Sequence, residues 1–442
     1  IRTTKDPIPS MHQNPTKKAA PFPASTTLYH KVDALSGGTS TMRAAGQTLL
    51  PKHPEEAIEN YEKRLSTSTL VNYYSKAIDA AVGRATTKPI EVSNLPASLT
   101  PFLADIDGAG STFDQFAQEA LWLTIHHGST YIVADYPELE SLPTTLAEAN
   151  TIKARPYLVS ITAPQVLAAY GKTENGQERL CHFRWSGCEV IPSDDGLDET
   201  RVETVKAYNQ PDANGPITLT TWRKVDSGWS QGDPAVIVGV TSIPVVCAYG
   251  WRTGFFTGKP VLTDLADLNV AHWQSLSEQT HILSIARVPF LHVSGQNLNE
   301  TVPNPDGSTT VKAFKLSVHS AAITPENTKI EWVETSGASI SAGEANIDYL
   351  ERKMDAMGLV PTASKSGNVT ATETCINAAE SSAQLKALCV AFGQSMSKAL
   401  YLLSEFAGTP APTVNVAIDP TFQVNPDAPE KTEEASEATP QQ

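Results

Sequence analysis

Cysteine is scarce in this sequence: there are five in 442 residues, and only Cys181 and Cys188 lie close together. So thin and odd a set excludes a disulfide scaffold, and the thiols are expected to be reduced and mostly buried. Positive charge is also in deficit. The chain carries 33 Lys and Arg against 48 Asp and Glu, a formal net charge of −15, with a pI near 5.1. A protein that grips nucleic acid by a basic footprint needs the opposite balance. Long apolar runs are missing, so no membrane-spanning helix is expected. The first thirty residues are rich in Pro and Thr and hold no apolar core of a signal peptide.

Apolar residues make up 40 %, enough for a packed core. At roughly 100–200 residues per domain, the length predicts two to four structural units. The texture changes along the chain. In residues 1–50, Pro7, Pro9, Pro15, Pro21 and Pro23 oppose helix and weaken strands, so an extended arm is expected. Residues 54–84 read as helical: Glu55 and Glu56 follow Pro54 at the positive end of the dipole, and Leu65, Leu70, Tyr73, Ile78 and Val82 recur at helical spacing. A second helix fits 112–127, with Phe113, Phe116, Ala120, Leu123 and His127 on one face. Residues 131–137 form a strand stopped by Pro137, and from 155 to 249 short β segments alternate with turns such as 212–215.

A long helix without Pro or Gly follows over about 262–286, then short strands over 288–338 with a Pro303-Asn304-Pro305-Asp306-Gly307 tip. A helix over 341–357 ends at Gly358, a soft segment leads to a third long helix, 371–406, and the tail is Pro-rich and acidic. The final fifteen residues read as disordered. The fold class is α+β.

Catalytic signatures are incomplete wherever they begin. Gly171-Lys172-Thr173 has the end of a phosphate loop, but Val166 stands where the first glycine is required; a turn between strands is the plainer reading. Asp105-Ile106-Asp107-Gly108-Ala109-Gly110 opens like a calcium loop, yet Ala109 and Phe116 occupy two ligand positions. A Gly-rich turn whose Ser111 or Thr112 caps the next helix is expected instead. Ser395 and Lys398 match an acyl-serine pattern without its companion motifs. His126-His127, and His272 with His281, lack metal spacing with a second pair. No catalytic residue, metal or cofactor is expected.

One helical face is unusual. Glu344, Asp348, Glu351 and Asp355 are spaced 4, 3 and 4, which brings them within about 60° of one another. Ile347, Leu350, Met354 and Met357 form a separate stripe about 110° away. Four like charges in a row cost stability. A solvated face is the plain reading. A wall that repels phosphates is the functional one, because carboxylates prevent a polyanion from adhering.

The chain resembles the portal proteins of tailed bacteriophages, in a group long filed as a domain of unknown function. The residues that carry the likeness are Tyr61-Glu62-Lys63-Arg64-Leu65 with Asn72, 81–84, 105–110 and 128–137. The block 260–275, continuing to 286–289, and Thr370-Ala371-Thr372-Glu373 complete it. The resemblance spans about Val32 to Phe406 and implies a portal fold. In it, 1–50 would be an N-terminal arm, 51–258 an α+β wing, 259–287 and 339–357 two stem helices and 288–338 a clip. Residues 358–371 would be a tunnel loop, 372–408 the long helix over the tunnel and 409–442 a reduced crown or tail.

It further implies a homo-oligomeric ring, usually a dodecamer, at one capsid vertex, assembled in the host cytoplasm and carried in the virion. Double-stranded DNA would pass through during packaging and ejection, with no membrane involved. Glu344, Asp348, Glu351 and Asp355 would line the tunnel. Lys365, Ser366, Gly367 and Asn368 would form its loop, where Lys365 either touches phosphates or faces solvent and Gly367 gives freedom. Pro303, Asn304, Pro305, Asp306 and Gly307 would dock the terminase motor and then head–tail adaptor and tail proteins, with the major capsid protein as a further partner. The alternative is another virion structural protein, a head–tail adaptor or a receptor binder.

Overall fold

A computed structural model describes residues 14–19, 22, 26–137, 154–193, 195–226, 228–286, 290–294, 300–303, 305, 307–312, 329–333, 337–359 and 371–420. The helices are α1 (Thr26–Ser36), α2 (Gly38–Ala44), α3 (Ile58–Thr67), α4 (Tyr73–Ala85), α5 (Phe113–His127), α6 (Thr263–Ala286), α7 (Gly337–Ala356) and α8 (Ala371–Phe406). Antiparallel strands stand between and after them, which makes the fold α+β. The chain folds into two compact units, 1–36 with 73–266 and 355–442, and 37–72 with 267–354.

The first unit is built on a three-stranded sheet, β10 (Val245–Tyr249), β2 (Ser129–Asp135) and β3 (Tyr157–Thr162), with β2 in the centre. Val133 pairs with Val245 on one side and Val159 on the other. Residues 129–134 are all buried, as expected of a strand covered on both faces. On one side Tyr131, Val133, Val245 and Cys247 join Phe183, Tyr208, Ile217 and Leu219 in a single apolar core. The latter four belong to a six-stranded sheet that includes β5 (Gln177–Pro192), β6 (Glu199–Asn209) and β7 (Ile217–Val225). Helices α5 and α8 pack against the three-stranded sheet and bury Phe116, Ala120, Leu121, Phe392, Met396 and Leu400. Beyond α8, β17 (Asn415–Ala417) pairs with β1 (Glu91–Ser93).

Helix α5 begins at Thr112, whose hydroxyl accepts from the Gln115 N–H while the Gln115 side chain accepts from the Thr112 N–H. It ends at Gly128 with φ +81°, a left-handed cap that glycine adopts without strain. A Cβ here would lie 2.0 Å from the Lys259 carbonyl carbon. Because that obstacle is backbone, Gly128→Ala should destabilise the protein by about 3 kcal/mol or more. Urea unfolding measures the loss, and a change under 1 kcal/mol would contradict the close approach.

In the second unit, α6 and α7 run antiparallel as a helical hairpin. Gln279 donates to the Ile340 carbonyl at 3.0 Å, Asn346 to the Ser275 hydroxyl at 3.1 Å and His272 to the Glu351 carboxylate at 3.1 Å. The partners descend along one helix as they ascend along the other. From the ends of this hairpin the chain continues into β13 (Phe290–Ser294) paired with β16 (Lys329–Val333), and β14 (Glu300–Pro303) pairs with β15 (Thr309–Lys312). No helix among the described residues is long and apolar enough to cross a membrane.

Several expectations change. The arm expected over 1–50 is helical at Thr26–Ser36 and Gly38–Ala44. Its prolines end at Pro23, and beyond them Tyr29, Val32, Leu35 and Met42 have apolar surface to bury. Residues 37–72, assigned by sequence to arm and wing, fold with 267–354. The single helix expected over 54–84 is two, parted at 68–72. Ser66 and Thr67 donate to the Lys63 carbonyl and Ser68 to the Leu65 carbonyl, closing α3 by side-chain competition for the backbone. Gly171-Lys172-Thr173 lies inside β4 (Val166–Glu174) and not at a turn, paired with Leu180, Arg179 and Glu178. In the Asp105–Gly110 turn, Asp107 accepts from the Ala109 and Ser111 N–H groups and Asp105 from Gly110, so both carboxylates are held by backbone donors. Of the described cysteines, Cys247 and Cys389 are buried, Cys181 half-buried and Cys188 exposed; all are free. Burial pushes the Cys389 thiol up to about 12, which leaves it protonated and inert.

Candidate functional site: the acidic face of a helical hairpin

Helix α7 buries Leu350 and Met354, half-buries Ile347 and leaves Met357 exposed, so the packing stripe is narrower than the spacing predicts. With Leu350 and Met354 facing inward, the carboxylate row is turned to the side of the packed face. Glu344 and Asp348 are exposed, and Glu351 and Asp355 are half-buried. Among the described residues no Lys or Arg lies within ion-pair distance of Glu344 or Asp348. Arg352 and Lys353 are exposed on the same helix, and the Lys353 ammonium lies 5.6 Å from the centre of the Tyr349 ring. That contact holds one cation over an aromatic face.

Glu351 differs from its neighbours in the row. It accepts a hydrogen bond from His272, whose side chain is fully buried in α6. This carboxylate therefore ties the two helices of the hairpin together while it contributes charge to the row. The partners are 79 residues apart in sequence, and no local spacing signals them. The block 260–275 singled out by resemblance does contain His272, beside the buried Asn269 and Trp273. Asn269 donates to the Val71 carbonyl and Gln274 to the Leu49 carbonyl, so this block binds the 37–72 segment within the second unit.

The segment Tyr61–Arg64 acquires a structural role. Arg64 is 2 % exposed and grips Glu56 with two nitrogens, at 2.9 and 2.8 Å, while donating to the Pro51 carbonyl at 3.0 Å. The forked guanidinium matches a carboxylate in this geometry. Sequence reasoning took Glu56 as a helix-start acid; the structure makes it the partner of a buried arginine.

In the second unit, Pro303, Pro305 and Gly307 are exposed where β14 turns into β15, and Gly307 has φ +81°. Asn304 and Asp306 of this tip lie outside the described residues. So do Lys365, Ser366, Gly367 and Asn368.

Residues 261–407, from the start of α6 to the end of α8, match the family model described as "Domain of unknown function (DUF4055)". No curated protein matches the chain. Among solved structures, the chain is similar to one from the neck of an empty gene transfer agent particle computed with C6 symmetry. That pair is 11 % identical with a TM-score of 0.42, over 88 % of this chain and 91 % of that one. It is also similar to a chain from the virion of a native gene transfer agent particle, 10 % identical with a TM-score of 0.37, over 86 % of this chain and 89 % of that one. The domain-of-unknown-function match thus covers both helices of the acidic hairpin, the strands between them and the long helix that follows.

Proposed function

We propose that this chain is the subunit of a portal ring, a virion structural protein joining head to tail and forming the channel for double-stranded DNA at one capsid vertex. The observation that carries the reading is the hairpin of α6 and α7. It holds a row of four carboxylates beside a packed face, with Glu344 and Asp348 exposed and unpaired among the described residues. The motif set of the resemblance and the match over residues 261–407 support the same assignment.

The physics of the channel follows from charge. A ring of such subunits, twelve in the expected case, repeats the acidic row around an axis. A polyanion moving along that axis is repelled by the acidic row, while Arg352 and Lys353 of the same helix stand outside that row. The wall then neither binds nor stalls the duplex. The subunit performs no chemistry in this scheme. The terminase motor supplies the energy and docks on the strand module near Pro303, Pro305 and Gly307. Adaptor and tail proteins take the same face later, and the major capsid protein surrounds the ring in the virion.

The assignment is tested by electron microscopy of the purified protein. Class averages viewed down the symmetry axis should show a closed annulus with a central hole wide enough for duplex DNA. A trimer without an axial hole would assign the chain to receptor binding. A monomer in every buffer by light scattering would remove the structural role altogether.

A further inference from the structure

We propose that Asp33, His126 and His127 form a binding site for a divalent transition metal ion, with Zn²⁺ the ion that fits best. Asp33 sits near the end of α1, and the two histidines form the last turn of α5. All three residues belong to the first unit. One ligand atom from each lies within 4.8 Å of the other two. The inference does not depend on the portal reading and uses none of the residues assigned to its tunnel lining, tunnel loop or clip tip.

The geometry is unusual for adjacent helical residues, whose side chains normally diverge by about 100°. Here the two rings fold toward one another, with centres 4.3 Å apart. Both present Nε2 to the same oxygen: Asp33 Oδ1 lies 3.0 Å from His126 Nε2 and 2.8 Å from His127 Nε2. Metal–nitrogen and metal–oxygen bonds near 2.0–2.2 Å set tetrahedral edges of about 3.4 Å, so Asp33 Oδ1 needs to withdraw from each histidine nitrogen by roughly half an ångström. Asp33 can supply that movement, because its side chain is 48 % exposed while both imidazoles are held in the interior. The open side leaves room for water as a fourth ligand.

The surroundings favour a cation. Burial alone would push the Asp33 carboxyl up, but hydrogen bonds from His126 and His127 outweigh it and hold the group well below the usual carboxylate range. The carbonyl end of α5 adds partial negative charge at the same place.

His126 already has an outer partner. The Tyr74 hydroxyl lies 3.2 Å from His126 Nδ1 and donates to the His126 carbonyl at 3.1 Å. When Nε2 ligates an ion, Nδ1 carries the proton and donates to the Tyr74 oxygen, the arrangement that orients metal-bound histidines. His127 is fixed by packing, with the Tyr29 ring edge-on at 5.5 Å. The donor set of two imidazoles and a carboxylate suits Zn²⁺ among the common divalent ions. Bound there, the ion would tie α1 to α5 by coordination where hydrogen bonds now do so.

Cobalt(II) is the probe. The purified full chain, stripped with a chelator, is titrated with Co²⁺ alone while the visible d–d absorption is followed. The expected result is a four-coordinate spectrum saturating at one ion per chain and bleached by one equivalent of Zn²⁺. Asp33→Asn and His127→Gln should each weaken binding by about tenfold or more. Circular dichroism reports whether each variant retains the fold. Asp33→Asn, half-exposed and isosteric, decides the matter if His127→Gln does not. No saturable spectrum in the wild type, or an unchanged affinity in a folded Asp33→Asn variant, overturns the proposal.

Discussion

Replacement of Glu344, Asp348 and Asp355 by lysine is expected to lower the yield of packaged DNA by roughly tenfold or more while rings still assemble, since each lysine that meets a phosphate releases condensed counterions and makes the wall adhesive. The effect follows from charge alone. Three negative charges per subunit become three positive ones, repeated around the proposed ring. Glu351 is left out by design. It receives the hydrogen bond of the buried His272, so a lysine there would place a cation against a side chain sealed inside the hairpin. Glu351→Lys is expected to lower the amount of folded protein before any effect on DNA is read, and that split between neighbours is itself a test of the structure. Ring assembly is measured by light scattering and packaged DNA by nuclease protection. An undiminished yield from intact triple-variant rings would take the acidic row out of the channel.

Arg64→Ala is expected to destabilise the protein by about 3–5 kcal/mol, the usual consequence of leaving one member of a buried ion pair without its partner. The substitution strands the Glu56 carboxylate, itself 9 % exposed, and also removes the bond to the Pro51 carbonyl. Urea unfolding followed by circular dichroism measures it. Adding Glu56→Ala should recover part of the loss, because the stranded charge goes with it. The pair also predicts a pH dependence. The Arg64 bond, with the His53 N–H and the Arg64 charge assisting against burial, holds Glu56 at about 2, below its ordinary value of 4.5. A depressed carboxyl stabilises the fold in full above the ordinary value and ceases to do so as pH falls through about 2. The wild type should therefore lose stability between pH 4.5 and 2 more steeply than the Arg64→Ala variant. Equal slopes would mean that the pair is not formed in solution.

The long elements were legible because period and punctuation agree in them. The capped helix at 113–127 begins at a Thr with Gln three residues on and stops at a Gly, and the sequence shows all three signals. Apolar spacing also places α6, which holds no Pro or Gly, and α7 and α8, which each hold one interior glycine, Gly343 and Gly393, and are followed by Gly358 and Gly408. Where proline density stood in for structure, at residues 1–50, the reading failed beyond Pro23. A residue-type average cannot weigh the apolar surface that Tyr29, Val32, Leu35 and Met42 bury. The break at 68–72 was missed for a related reason: a run of Ser and Thr stops a helix only when its hydroxyls find backbone carbonyls, which they do here.

By itself, then, the order of residues determined the α+β class, the succession of long helices and strand modules, the acidic row as a pattern on one helix and the failure of every catalytic signature. Tertiary structure alone decided that Glu344 and Asp348 of that row are exposed and that Glu351 is bound to His272. It also decided that Arg64 closes on Glu56, and that Asp33 meets two histidines 93 and 94 positions away. The reason is the range of the interactions. Helix periodicity, capping and turn chemistry act within a few residues and are written locally. A buried ion pair or a convergent ligand set exists only where packing brings distant segments within about 3 Å, and no spacing along the chain encodes that distance.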